Sequence, residues 1–411
     1  MFSLLSFSHL RRFSTKANIL KDVMVVDMSR VLAGPIASMM LGDLGANVIK
    51  IEPIIGDYTR SYGPPFINEQ SAYFLCCNRN KKSIVIDIQQ RDGLNLIKQL
   101  ISKADVFLHN AMTSSIVKYG LDYETLSTKY PSLIYCAVSG YGKSGPSAHR
   151  PGVDLIAAAE GGLMSITGEP DGPPTRVGVA ITDQITGLFA CNGILSALYA
   201  RALNGRGGEV HLSLLSAQVA TLANVASSYL NCGVEARRFG GAHPSIVPYQ
   251  VFLTSDGYIV VGAFNNSGFK ELCEVIGLTE LVSDDRFKTN RDRVENKSVL
   301  IEKMNEIFIQ KPQSHWMAIF ENTKVLHSQI NNMQQVFEHP QIVHDKLVKT
   351  LHHTDVGDVK IVGPPVQYSN IMNEIRSPPP TLGEHTDSIL KELLGLSATD
   401  ISDLRERKVI H

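Results

Sequence analysis

Between Val177 and Ala200 the chain carries a single acidic or basic side chain, Asp183. It follows the apolar run VGVAI and precedes a helical pattern, Gln184 to Tyr199, that is rich in small residues. Burying one carboxylate unpaired is costly, so Asp183 must cap a helix, meet a cation or be kept for chemistry. As an N-cap or first-turn residue it would accept backbone N–H bonds and face the positive end of the helix. Capping and catalysis are compatible, because an ionised, poorly hydrated carboxylate with free lone pairs is a nucleophile. At a reference pKa of about 3.9 such a group is ionised well below neutrality.

Other residues surround this one in sequence. Gly161, Gly162, Gly168, Gly172, Pro173 and Pro174 make a loop in which a bulky ligand could lie against backbone. Arg176, seven positions before Asp183, either grips a substrate carboxylate with both arms of its guanidinium or serves as a surface or structural partner. His243, in GGAHPSIVPYQ, reads as a satisfied structural histidine or a ligand contact. Arg79, Lys81 and Lys82 enter a strand as a solvated charge run or a phosphate anchor. SGYGKSG, Ser139 to Gly145, matches GxGxxG and contains Gly-Lys-Ser, yet Ala137 stands where a phosphate loop needs its first glycine. Pro146 and polar residues follow where a helix should open, which leaves a glycine turn that admits a close approach.

The elements that position these groups are legible as alternating patterns. Val23 to Asp27, Asn47 to Glu52, Ser83 to Asp87, Val106 to Asn110 and Leu133 to Gly140 read as buried parallel strands with helices between them. That alternation predicts a doubly wound α/β domain. Pro35 suits the first turn of a helix ending near Asp43, and Gly45 suits its stop. From about residue 150 to Ser228 the periodicity is mostly helical. A hairpin over Pro248 to Phe264, turning at Ser255, Asp256 and Gly257, then opens a smaller α+β region. Its helical patterns cover Gly268 to Ile276, Lys297 to Ile309 and Gln313 to Asn322. Two short strands flank Asp355 to Gly357, Ser377 to Pro380 is an extended linker, and Glu384 to Leu394 and Ala398 to Arg407 are amphipathic helices that need a docking surface. The expected organisation is 1–17 as a leader, 18–228 as the large domain, 229–330 as the small one and 331–411 as linker and C-terminal elements.

Composition excludes several classes. Lys+Arg 39 against Asp+Glu 40 gives a formal charge of −1, which supplies no global field for nucleic acid or an acidic membrane surface. No segment is apolar enough to span a bilayer. Cys76, Cys77, Cys136, Cys191, Cys232 and Cys273 show neither CxxC nor Cys/His spacing, so they read as reduced, mostly buried thiols without a metal. The first residues, MFSLLSFSHLRRFSTKA, hold Arg11, Arg12 and Lys16 and no acidic residue before Asp22, the composition of a mitochondrial transit peptide.

The segments SRVLAGPIASMMLGDLGANVIKIEP, NRNKKSIVIDI, YGKSGP, GLMSITGEPDGPPTRVGVAITDQITGL, HPSIVPYQVF, DGYIVVGAF, INNMQQVFEHPQ and PPPTLGEHT together resemble the class III CoA-transferases of CaiB/BaiF type. The resemblance runs from about residue 20 to 390, and it is strongest to members of the mitochondrion that use succinyl-CoA with glutarate or 3-hydroxy-3-methylglutarate. It implies a Rossmann-like large domain completed by C-terminal elements, a smaller inserted domain, and an interlocked homodimer. It implies acyl-CoA and a dicarboxylic acid as substrates, with no metal or permanently bound cofactor. Asp183 falls on the family's nucleophilic aspartate, which passes through a mixed anhydride and an aspartyl-CoA thioester. CoA contacts fall on Val31, Leu32 and Ala33, on Ile86, Asp87, Ile88 and Gln89 near the adenine, and on Asn110, Lys118 and Arg150 near the phosphates.

Formyl-CoA transferases of the family carry glutamine at the Leu32 position, arginine at the Pro53 position and a polyglycine loop where this chain has Gly262 to Gly268, GAFNNSG. A formate and oxalate pair is therefore not expected. The alternative within the fold is an α-methylacyl-CoA racemase, which needs a histidine where this chain has Val153, and valine takes no proton. An acyl-CoA carrier without catalysis is the alternative from another class, and Asp183 argues against it.

Overall fold

The computed structural model describes residues 16–411, so the expected leader lies outside the described residues except for Lys16 and Ala17. The chain divides into two compact units. One comprises residues up to Gly162, Gly178–Ala226 and Val343–His411; the other comprises Leu163–Val177 and Ser227–Ile342. The boundaries thus differ from those expected at 228 and 330, because 163–177 belongs to the second unit and that unit runs on to Ile342.

The first unit is built on six parallel strands: β1 (Met24–Asp27), β2 (Asn47–Glu52), β3 (Lys81–Val85), β4 (Val106–His109), β5 (Ile134–Ser139) and β6 (Gly208–Ser213). Their order is β3-β2-β1-β4-β5-β6, the doubly wound arrangement whose direction of growth reverses between β1 and β4. The run from 150 to 228 is not wholly helical: β6 pairs with β5 from Ile134↔Gly208 to Ser139↔Ser213. Its alternation of Val210 and Leu212 with Glu209 and His211 is the period of a half-buried edge strand, and it is short enough to pass unnoticed beside a long helix.

Helices cover both faces. α1 (Ala33–Asp43) carries Pro35 in its first turn, where the missing N–H would have had no intrahelical partner, and Gly45 closes the turn beyond its end at φ +107°. α1 packs on α4 (Ile181–Asn204): Ala37, Leu41, Ala190 and Ile194 are buried together with Val25, Val48 and Leu108 of the sheet. On the other face, α2 (Arg91–Ile101) buries Ile97 and Leu100 against Ile49, Ile84 and Phe107. The same cluster takes in Ile389 and Leu390 of α5 (Thr386–Leu394) and Ile401 and Leu404 of α6 (Ala398–Glu406), so these C-terminal helices find their docking surface on the sheet. The chain end goes further: the Asp87 N–H donates to the Val409 carbonyl at 2.9 Å, and Ile410 bridges Ile86.

In the basic run entering β3, Arg79 and Lys81 are neither solvated nor available to a phosphate, which corrects both readings for those two, while Lys82 is half-buried. Arg79 is buried and donates to both carboxylate oxygens of Asp43, at 2.9 and 2.7 Å. Lys81 is buried with its ammonium on Asp27, the Pro35 carbonyl and Asn78. Partners from distant parts of the chain fix these charges, and local sequence carries no sign of them. The thiols are free, and Cys77, Cys136, Cys191 and Cys273 are buried.

The second unit holds the expected hairpin, Tyr249–Leu253 with Tyr258–Gly262, extended by Leu326–Gln329 into a three-stranded antiparallel sheet. Helices Asn266–Val275, Lys297–Phe308 and Gln313–Phe320 enclose Phe252, Phe308, Trp316 and Phe320 with it. The stretch compared with a polyglycine lid is short: Gly262 ends a strand, and Asn265 already caps the next helix by accepting the Gly268 N–H at 2.8 Å.

Candidate active site

A cavity of about 230 Å³ opens at the carboxyl ends of β1, β4 and β5, where the strand order reverses and doubly wound sheets bind their ligands. Three loops make its walls: Arg30 to Ala33 after β1, Asn110 to Thr113 after β4, and Ser139, Gly140 and Arg150 to Val153 after β5. The glycine turn of SGYGKSG serves a close approach of chain to chain. A Cβ built on Gly140 would lie 2.6 Å from the Gly152 Cα, so the two backbones cross at the wall and only glycine fits.

The first wall is strained. Val31 sits at φ +69°, a left-handed conformation that costs a β-branched residue about 1–2 kcal/mol. Side chains hold the turn in place. The Asn110 amide accepts from the Arg30 N–H at 3.0 Å and donates to the Arg30 carbonyl at 2.8 Å. The Val31 N–H donates to both oxygens of Asp57, each at 3.2 Å.

Asp183 closes the cavity from the first turn of α4, 7% exposed. It is not the cap. Asp154, in the first turn of α3 (Asp154–Glu160), places one carboxylate oxygen 2.9 Å from the Thr182 N–H and 3.2 Å from the Asp183 N–H, and so supplies the acceptor that α4 lacks at Ala180. Among the described residues no donor reaches the oxygens of Asp183. Burial, and then the nearby negative Asp154, push its carboxyl up to about 7. This overturns the expectation of an ordinary aspartate ionised far below neutrality.

The cavity brings together Val31, Leu32, Ala33, Asn110, Arg150 and Asp183. Arg150 is paired with Glu160 at 2.5 Å and lies 4.5 Å from the centre of the Tyr141 ring. That pair is solvent-exposed, so water and salt screen it. The remaining expected residues do not line this cavity. Ile86 is buried beneath the chain end, the Asp87 carboxylate accepts the Gln89 N–H at 2.9 Å, and Ile88 packs at the edge of the core. Lys118 lies in the last turn of helix Thr113–Lys118, its ammonium 5.6 Å from the Tyr119 ring. Arg176 and His243 belong to the second unit. Arg176 is exposed and donates through Nε to the Val177 carbonyl at 3.1 Å; His243 accepts the Ser245 N–H at 3.0 Å and stacks on Tyr249.

Two residues of the site had no sequence signal. One is Asp154, whose role rests on a contact across 28 residues. The other is Tyr73, whose phenol is pushed up to about 12 by burial and then by the Asp183 charge, so it stays protonated. Val153 lines the cavity where a racemase would need a proton acceptor.

Residues 20–386 match the model of CoA-transferase family III. The succinyl-CoA:glutarate CoA-transferase of Mus musculus is 46% identical over 376 residues, spanning 91% of this chain and 86% of that one. The succinate–glutarate CoA-transferase of Agrobacterium fabrum is 37% identical over 387 residues, spanning 92% and 97%. A crystal structure of a CaiB/BaiF family protein from Brucella suis superposes with a TM-score of 0.83 at 38% identity, covering 91% of this chain and 99% of that one.

Proposed function

The chain belongs to CoA-transferase family III, an enzyme family acting on CoA thioesters, and on that premise we propose that it moves CoA from succinyl-CoA to a dicarboxylic acid, glutarate first and 3-hydroxy-3-methylglutarate as a second acceptor. The names of its relatives support the donor and glutarate. The observation that carries the chemistry is Asp183: a buried carboxylate at the end of a cavity, with no donor on its oxygens and an elevated pKa. A carboxylate that is poorly solvated and more basic than usual is the better nucleophile.

In the proposed course, an oxygen of ionised Asp183 attacks the thioester carbonyl carbon of succinyl-CoA. The C–S bond breaks, leaving a succinyl-aspartyl anhydride and CoA thiolate. The thiolate attacks the aspartyl carbon, expels succinate and leaves an aspartyl-CoA thioester. The acceptor carboxylate then attacks that carbon, giving a second anhydride and thiolate, and the thiolate takes the acceptor's acyl group and frees the Asp183 carboxylate. No net proton or electron is transferred, so this course asks for nothing beyond the two substrates and a dry pocket. The N–H groups of Arg30 and Val31 are engaged by Asn110 and Asp57, so we assign those of Leu32 and Ala33, at the start of α1, to the tetrahedral oxyanions. We assign the CoA contacts to Val31, Leu32 and Ala33, to Asn110, Lys118 and Arg150 for the phosphates, and to Ile86–Gln89 for the adenine. Arg176, with most of its guanidinium unengaged, is assigned to the acceptor's distal carboxylate.

The test is to incubate the protein with succinyl-CoA and a panel of mono- and dicarboxylic acids and identify the acyl-CoA products by mass spectrometry. Glutaryl-CoA as the leading product is expected, and Asp183→Ala should form none; preferred transfer to monocarboxylates would contradict the substrate assignment. Arg176→Ala should raise the KM for glutarate about tenfold or more and leave that of a monocarboxylate nearly unchanged. An equal change in both would remove Arg176 from the site. We also propose a mitochondrial matrix location, on the basic, acid-free first residues. A fusion of residues 1–25 to a fluorescent protein that stays in the cytosol would refute it.

A further inference from the structure

The strained wall of the cavity rests on charges that the reaction does not use. Beneath Val31 lies an ion pair withdrawn from water: the Lys50 ammonium donates to Asp57 at 2.8 Å, and both side chains are 0% exposed. Removing two charges from solvent is expensive, and a hydrophobic pair of the same volume would often serve stability as well or better. The pair therefore calls for a purpose besides stability. Its hydrogen bonds indicate one. Lys50 also donates to the Ser29 carbonyl at 2.9 Å, immediately before the turn, and Asp57 accepts the Val31 N–H with both oxygens. Asp57 is itself held still, since its Oδ1 accepts from the Thr59 N–H and hydroxyl at 3.0 and 2.9 Å and its own N–H donates to Glu52 at 3.0 Å. On the far side, the Cys77 thiol lies 3.7 Å from the Val31 carbonyl. Valine left to itself abandons φ +69°, so something outside the turn must hold it there.

We propose that Asp57, anchored by Lys50, is a positioning residue for CoA transfer: it clamps Val31 in the left-handed conformation and thereby sets the Arg30 to Ala33 wall against Asp183. Neither side chain meets substrate. The inference rests on the reading of this cavity as the site where CoA is held and transferred.

The test compares wild type, Asp57→Asn, Val31→Gly and the double variant by calorimetric binding of coenzyme A, by kcat and KM for transfer from succinyl-CoA, and by thermal melting. In Asp57→Asn, Lys50 claims the amide oxygen at the Oδ2 position, so the NH2 group takes the Oδ1 position, opposes the N–H groups of Val31 and Thr59, and loosens the clamp. Displacing the wall by about an ångström is expected to lower kcat/KM by about a hundredfold, with kcat falling more than KM rises. Glycine adopts φ +69° without strain, so Val31→Gly in the Asp57→Asn background is expected to restore about tenfold of that loss and the CoA affinity with it, while the melting temperature stays low. Restored function without restored stability distinguishes a clamp from a merely structural pair. A double variant no more active than Asp57→Asn, or an Asp57→Asn protein with wild-type kcat, overturns the proposal. Where Asp57→Asn does not fold, Asp57→Glu carries the same comparison, because it keeps the charge for Lys50 and moves the oxygens by one methylene. The two readings fail separately. A wild type that transfers CoA to another acid contradicts the glutarate assignment, whereas the pattern of CoA affinities across the four proteins judges the clamp whichever acid is used.

Discussion

At the scale of single residues, the site is defined by what Asp183 lacks. Burial, and then the nearby Asp154 carboxylate, push its carboxyl up to about 7 in the folded state, against about 4 in the unfolded chain, and among the described residues no donor offsets this. A carboxyl whose folded pKa is raised costs nothing below the unfolded value; its penalty grows as pH rises from the unfolded value to the folded one and is complete above it. Asp183→Asn is therefore expected to be more stable than wild type at pH 8, by on the order of 4 kcal/mol, and no more stable at pH 4. Equal melting temperatures at both pH values would contradict the elevated carboxyl. The same titration sets activity: kcat/KM should fall below about pH 7 as the nucleophile protonates. Asp154→Asn keeps an oxygen for the α4 N–H groups and removes the charge, so it should move that acid limb to lower pH, and an unmoved limb would assign Asp154 to capping alone. Sequence exposed Asp183 because it stands as the lone charge over Val177 to Ala200. It could not expose Asp154, Asp57 or the left-handed Val31, because each depends on a partner far along the chain.

At the scale of elements, the helices that frame the site meet closely. A Cβ on Gly187 of α4 would lie 2.7 Å from the Ala33 carbonyl of α1, a residue of the cavity wall. Gly187→Ala must push α1 away, at a cost of about 1–3 kcal/mol, and should raise the KM for succinyl-CoA together with the loss of stability. Wild-type melting and KM would contradict that close contact. Five strands, α1, the hairpin and the terminal helices were legible because periodicity and turn chemistry are local signals. β6 was not, since a half-buried edge strand of alternating residues follows directly on a long helix. The charges of Arg79 and Lys81 misled for a related reason: a buried ion pair and a solvated run look alike until the partner's position is known.

At the scale of the whole molecule, the last residues are part of the first unit's core. Leu390, Leu404, Val409 and Ile410 are each nearly fully buried, and each contributes about 1.5–3 kcal/mol on burial. Ending the chain before Thr386 should therefore remove a stabilisation comparable with the whole net stability of a domain, and the truncated protein should fail to melt cooperatively. A truncated chain that melts like wild type would contradict the docking of α5 and α6. Along α4, Leu188, Phe189, Tyr199 and Leu203 are exposed, an apolar stripe that the homodimer expected from the family resemblance would cover. Light scattering that returns a monomer at micromolar concentration would reject it. The interlocking of such a dimer came from family resemblance alone, because periodicity within one chain says nothing of a second. All of this serves one carboxylate. Mixing the protein with succinyl-CoA, reducing with borohydride and sequencing the peptides by mass spectrometry tests it directly. The account predicts homoserine at position 183, the reduction product of an aspartyl thioester; an unmodified Asp183 while acyl-CoA product accumulates would contradict it.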